Sequence, residues 1–311
     1  MRKTQLVLHR LWQMLPVLVG ISVVTFVLAQ AIPGDPVRLI VGPRAPASVI
    51  ESVRERYGLD RPVLAQYFVY LGNLLQGDWG TSIAFRTPVL GLIMSRFPPT
   101  LYLVGGGLFL SSLVALVLAV VAAPRQDRWV DQAVRLFSTI GLGLPAFWLG
   151  LVLSLVFAVR LGWFPSSGFG EGSVDHVRHL VLPWVTIAVV MAPILVRNLR
   201  ATLIEKLQAD FVVAERSKGL PERSIFLRHV LPNSLLTNLH LLGVVAVYTL
   251  GIAIIIEPVF AVPGLGQLFI GSIVSRDYFV IQGLTTIFAM LTIAATLAVD
   301  LLSLVVDPRI G

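Results

Sequence analysis

The chain has 311 residues, of which 56% are hydrophobic and only 13% charged, with a formal net charge of +7. Soluble domains carry about a quarter charged residues, so a water-soluble fold of this length is excluded. Cysteine is absent, which removes disulfide frameworks, thiolate chemistry and Cys-ligated metal centres.

Mean hydropathy is +0.85, and six stretches lack Asp, Glu, Lys and Arg: 11–32, 97–123, 136–159, 180–196, 230–256 and 279–299. About 20 apolar residues in a helix cross a hydrocarbon layer of roughly 30 Å, so each can span, the fourth only just. The pattern predicts an all-α polytopic membrane protein with six transmembrane helices. A transmembrane β-barrel would instead show alternating segments of about ten residues. Lys and Arg are about twice as dense in 1–10, 124–135, 197–229 and 300–311 as in 33–96, 160–179 and 257–278, which by the positive-inside bias puts both termini in the cytoplasm. The positive charge is therefore assigned to orientation and to anionic membrane lipid, not to nucleic acid.

In chain order, 1–32 is the N-terminus and first span. Arg2, Lys3 and Arg10 precede an apolar run ending in Ala29-Gln30-Ala31, which imitates a signal-peptidase site. The run exceeds the usual core of about 7–15 residues of a signal peptide, so it is read as a retained span. Residues 33–96 form an extracytoplasmic loop subdomain. There Ser48 and Glu51 have capping-box spacing that would open a short helix, and Gly58 would close it. After Pro62, apolar residues at Val63, Leu64, Tyr67, Phe68, Leu71, Leu74 and Leu75 recur every three or four positions, which predicts an amphipathic helix on the outer face or against other spans.

Residues 97–311 form a core of five further helices. Within its second, Gly141, Gly143 and Pro145 are small or helix-breaking and allow close helix approach; no pathway-lining residue is identified. His176 and His179 form the one histidine pair at helical ligand spacing, at an outer boundary, and no metal site is assigned to them. The polar loop 197–229 holds seven Lys or Arg and four Asp or Glu. It reads as two helices with a break: Gly219 takes the left-handed conformation that ends the first behind Lys218, and Pro221 occupies the first position of the second, with Glu222 in its first turn. His240 is the one ionisable side chain inside a span, read as a buried neutral imidazole, with Glu257 and Asp300 at span edges. That is little material for a proton relay, so an ion-coupled secondary transporter ranks low. In 257–278, Pro258, Pro263, Gly264 and Gly266 interrupt an apolar sequence, which suggests a scoop-like or partly re-entrant feature near the outer mouth.

Catalytic signatures are missing. There is no G-x-x-x-x-G-K loop followed by Ser or Thr, no H-E-x-x-H pair and no G-x-S-x-G turn. The spans also lack the convergent polar residues a membrane-embedded enzyme would need.

One motif organises these observations. Gly219, followed after nine residues by His229-Val230-Leu231-Pro232, resembles the EAA loop of ABC-importer permeases. Val213-Ala214-Glu215 stands where that loop carries Glu-Ala-Ala, and His229 stands in place of Ile. The His, with Arg216-Ser217-Lys218-Gly219-Leu220, is similar to the dipeptide/oligopeptide/nickel branch. So are Ile32-Pro33-Gly34-Asp35-Pro36-Val37, Tyr57-Gly58-Leu59-Asp60-Arg61-Pro62, Gly77-Asp78-Trp79-Gly80-Thr81-Ser82, Pro263-Gly264-Leu265-Gly266, Arg276-Asp277-Tyr278 and Asp307-Pro308-Arg309, which look like the first permease subunit of peptide importers.

The resemblance implies a type I ABC importer permease fold in the bacterial inner membrane, and a non-catalytic subunit of an importer for di- or oligopeptides, with nickel or glutathione as alternatives. It implies a second, homologous permease, two cytoplasmic ATPases that bind ATP and Mg, and an extracytoplasmic solute-binding protein; this chain would bind no cofactor. The loop around Gly219 would be the coupling helix seated on one ATPase. Ala214 and Gly219 would serve close packing and the sharp turn, Leu220 and Pro221 the apolar contact and helix restart, and Glu215, Arg216 and Lys218 polar rim contacts.

Overall fold

The computed structural model describes residues 12, 16–27, 30, 45–56 and 60–306. The expectations placed on Arg2, Lys3, Arg10, Ala29 and Ala31, on 32–37, on Tyr57-Gly58-Leu59, on the side chain of Asp300 and on Asp307-Pro308-Arg309 lie outside the described residues. Among the described residues the structure is helical, with no β-sheet beyond a single bridge between Thr81 and Pro88.

The chain divides into two units. The smaller joins Leu8–Pro98 to Gly264–Ile293. It contains α1 (Pro16–Val27), α2 (Ala47–Arg56), α3 (Val63–Leu75), the start of α4 (Val89–Ala122), α11 (Leu265–Ser275) and most of α12 (Tyr278–Val306). Helix α2 begins at Ala47, one residue before the expected cap, because the Pro46 carbonyl accepts the N–H groups of Val49 and Ile50. Helix α3 starts directly after Pro62, as the apolar stripe predicts, but buries none of its residues. Val89, Ile93, Leu265, Leu268, Val280, Leu284 and Ile287 form this unit's core. Beside it, the fully buried Asp277 carboxylate accepts hydrogen bonds from Ser82 Oγ (2.5 Å) and the Ala84 N–H (3.0 Å). This ties the 78–88 turn to the N-terminus of α12.

The larger unit holds the rest of α4, then α5 (Trp129–Gly143), α6 (Ala146–Leu153, running on in a wider-wound turn to Arg160), α7 (Ser173–Leu207), α8 (Asp210–Ser217), α9 (Glu222–Ile225), α10 (Leu231–Val259) and the end of α12. The expected third span, 136–159, is not one straight helix. It breaks between α5 and α6 with a bend of 105°. The cause is local: a residue before proline avoids helical backbone, and Leu144 is extended (φ −81°, ψ 124°) before Pro145. Gly141 packs tightly here, since a Cβ at that position would lie 2.6 Å from the Val189 carbonyl oxygen and 2.7 Å from Pro193 Cγ. The fourth span, marginal by its uncharged run, is the 35-residue α7, roughly 50 Å long at about 1.5 Å per residue.

Among the described residues four helices are long and apolar enough to cross a membrane, and the bent pair α5–α6 would make a fifth. Their number and apolar character fit a multi-pass membrane protein. One reading is corrected at the polar positions: His240 is exposed rather than buried. Glu257 lies in the last turn of α10, is fully buried, and accepts a hydrogen bond from Thr100 Oγ1 at 2.6 Å.

Candidate functional site

The polar segment between α7 and α10 is built on a buried base. Val212 of α8, Ile225 of α9 and Val230 join Ala119 and Ala123 at the end of α4 and Leu199 and Leu203 of α7 in one apolar cluster. Val212, Ile225, Val230 and Leu203 are fully buried. One apolar residue on each short helix therefore roots it against two long ones.

Between these roots the chain reverses at Gly219, whose φ is +80°. The Gly219 N–H donates to the Arg216 carbonyl at 2.9 Å, and the Leu220 N–H to the Glu215 carbonyl at 3.4 Å. With Lys218 as the C-cap, these two bonds complete a Schellman motif, which satisfies carbonyls that a helix end otherwise leaves open. The expected left-handed glycine is therefore found at its place. Pro221 is shifted by one position: it is the N-cap of α9, not its first helical residue, and its carbonyl accepts the N–H groups of Ser224 (2.8 Å) and Ile225 (3.1 Å). The second helix is also not free-standing. It continues through a wider-wound turn, Phe226–Val230, into α10, so that 222–259 forms one helical rod.

An ion pair clamps the turn. Arg216 Nε and Nη2 donate to Glu222 Oε1 and Oε2 at 2.6 and 3.1 Å, the bidentate geometry that suits guanidinium and carboxylate. Arg216 holds the Glu222 carboxyl below its ordinary range, chiefly through this hydrogen bond. Lys218 Nζ lies 3.4 Å from Glu215 Oε1.

Of the seven positions singled out in sequence, Ala214, Arg216, Lys218, Gly219, Leu220 and Pro221 are exposed and Glu215 is half-buried. The expected close packing of Ala214 and Gly219 does not occur within the chain: a Cβ on Gly219 would meet nothing within 4 Å. Val213 and Leu220 expose 56% and 37% of their surface, so the turn presents apolar area framed by charge. Nothing in it is arranged for catalysis. It is a rigid, surface-presented knob.

Sequence reasoning missed the strongest polar contact of the larger unit. Arg200 of α7 meets Asp131 of α5 with two hydrogen bonds, Nε to Oδ1 and Nη2 to Oδ2, the latter 2.6 Å. Asp131 has no exposed surface; its Oδ2 also accepts the Asp127 N–H (3.0 Å) and lies 3.3 Å from Arg135 Nη2. The only sequence signal was an acidic residue in the first turn of a helix, which suits the helix dipole without naming a partner. His176 and His179 serve local structure: His176 stacks on Phe169 with ring centroids 3.9 Å apart, and its Nδ1 is 2.7 Å from the Phe169 carbonyl oxygen. Among the described residues no three His, Asp or Glu side chains converge as a metal site.

The profile described as "Binding-protein-dependent transport system inner membrane component" matches residues 115–311, and its N-terminal counterpart matches residues 3–104. The oligopeptide transport system permease protein AppB of Bacillus subtilis is 37% identical over 310 residues, covering 98% of both chains. The glutathione transport system permease protein GsiC of Escherichia coli K12 is 37% identical over 304 residues, again covering 98% of both. A chain of the MetNI methionine ABC transporter, in an inward-facing conformation, superposes with a TM-score of 0.58 at 18% identity, over 70% of this chain and 97% of its own length. That likeness concerns the fold.

Proposed function

The chain belongs to the family of binding-protein-dependent transport system inner membrane components, and from that premise we propose that it is the permease subunit of an ATP-driven peptide importer whose 210–225 segment seats on a cytoplasmic ATPase. The full-length relatives are named for an oligopeptide and for glutathione, and glutathione is itself a tripeptide, so short peptides are the common substrate class. The glutathione reading has the same 37% identity behind it.

One observation carries the coupling assignment: an exposed turn, closed by its own hydrogen bonds and by the Arg216–Glu222 pair, stands on an apolar base shared with α4 and α7. A motor protein closing around nucleotide delivers a displacement, and a flexible loop would absorb it. Here the displacement of the knob passes to the long helices, because α8 and α9 are rooted in the same cluster and α9 runs on into α10. Leu220 and Val213 supply the apolar contact, Ala214 the small surface that allows close approach, and Glu215, Arg216 and Lys218 the charged rim. Gly219 and Pro221 set the turn. ATP drives transport only if the ATPase binds one conformation of the permease better than the other. The complete importer in this reading adds a second permease, two ATPases that hold ATP and Mg, and a solute-binding protein on the outer face.

Leu220→Cys introduces a lone thiol into a chain without cysteine and tests the assignment. In the assembled transporter a short thiol–amine crosslinker should join it to the ATPase, with a yield that changes on nucleotide binding. Labelling of that thiol by an impermeant reagent added outside intact cells would overturn it. The purified chain alone should move no solute under a pH gradient; if it does, an ion-coupled mechanism replaces this one.

A further inference from the structure

Within the smaller unit lies a cavity of about 110 Å³, open to solvent and separate from the coupling turn. Tyr70, Trp79, Tyr278 and Phe279 line it together with Gln30, Gln66 and Asn73, and Asp78 is the one formally charged residue among its lining. The Gln282 side chain also lines it, on a residue only 9% exposed. A polar side chain on a largely aromatic wall is better matched by a polar ligand than by an apolar one.

The chemistry of the lining selects the sign of that ligand. Aromatic faces carry negative charge density and attract cations. Among the described residues the exposed Asp78 carboxylate accepts the Gly80 N–H, at 3.0 Å through Oδ1, and its Oδ2 can take a further donor. Gln282 adds an amide oxygen, and no Lys, Arg or His lines the cavity to compete. An anion would face a carboxylate and ring faces; an apolar group would offer Gln282 no partner. An ammonium group has three donors and satisfies all of these at once. The volume is below the roughly 150 Å³ that accommodates benzene, so the ligand enters by one short end.

The walls are close-packed. A Cβ on Gly80, whose φ is +80°, would lie 2.6 Å from Phe279 Cδ1, and one on Gly283 would lie 2.8 Å from Val89 Cγ1 and 3.3 Å from Trp79 Cε3. Side chains at these two positions would push the rings out of place.

We propose that this cavity is a binding site for a primary ammonium on a short carbon stem. Resting on the peptide reading above, that group is the free amino terminus of a peptide, held by Asp78 and Gln282 against the aromatic wall.

The test uses the purified full chain in lipid nanodiscs and two probes, L-alaninamide below neutral pH, where it is a cation, and N-acetyl-L-alaninamide, which is neutral. Ligand-observed NMR titration should show L-alaninamide binding about tenfold more tightly, the scale of a desolvated cation–π and carboxylate contact. Asp78→Asn should abolish that preference and Asp78→Glu should retain it. Gln282→Leu, which keeps the fold but removes the amide, should weaken L-alaninamide several-fold. Equal binding of both probes by the wild type, or a preference that survives in Asp78→Asn and Gln282→Leu, overturns the site. Should Asp78→Asn fail to fold, Gln282→Leu decides alone. Uptake of trialanine by the assembled transporter separates the two readings. Uptake without probe preference removes the site and keeps the peptide importer; probe preference without uptake keeps the ammonium site and removes the peptide reading.

Discussion

Two arginine–carboxylate pairs of similar geometry, one formed before α8 in sequence and one at its C-terminal end, do opposite work. Arg200 and Asp131 are 16% and 0% exposed, while Arg216 and Glu222 are 46% and 66% exposed. The first joins two helices distant in sequence, and its carboxylate has no water to fall back on. The second joins residues across one turn and competes with solvent throughout. Buried charge is committed to its partner, whereas exposed charge stays available to another protein. The interior pair should therefore report on folding and the exposed turn on coupling.

The largest effect is expected where that distinction is sharpest. Arg200→Leu strands the Asp131 carboxylate and should cost about 3–5 kcal/mol, seen as a large drop in melting temperature in detergent. A stable Arg200→Leu protein would break the comparison. Gly141→Val forces side-chain atoms against the Val189 carbonyl and Pro193 and should cost about 1–3 kcal/mol by overpacking, read in the same melting experiment. Gly219→Val strains a left-handed backbone by about 1–2 kcal/mol in open space, so insertion and folding should persist while peptide uptake falls at least about tenfold, the price of 1.4 kcal/mol in the coupled state. Normal uptake by a folded Gly219→Val transporter would remove the mechanical role of the turn. The smallest effect belongs to Glu222→Gln. Melting should not change measurably, and the salt dependence of ATPase association, measured by titration, should steepen or flatten as Arg216 is released. No change in that dependence would mean the clamp is only decoration on the surface.

Much of this chain was legible in its sequence because local rules act over a few residues. The helix after Pro62 and the break at Gly219 each follow from residue types within one or two turns, and the structure places them there. The errors of one or two residues, at Ala47 and Pro221, are of the same local kind: a proline carbonyl took the capping role expected of a nearby residue. The seven positions proposed for coupling could be picked from a motif, yet not their exposure, nor the partner of Arg216.

Sequence alone thus determined that the chain is a bundle of membrane helices with one polar, glycine-broken knob, since hydropathy and backbone preference are properties of the segment itself. Tertiary structure decided that Asp131 and Glu257 are buried while His240 is exposed, that one expected span folds back by 105°, and that Gln282 faces a cavity. These outcomes depend on which distant helix supplies a donor, a wall or nothing at all, and that choice is made only when the helices pack.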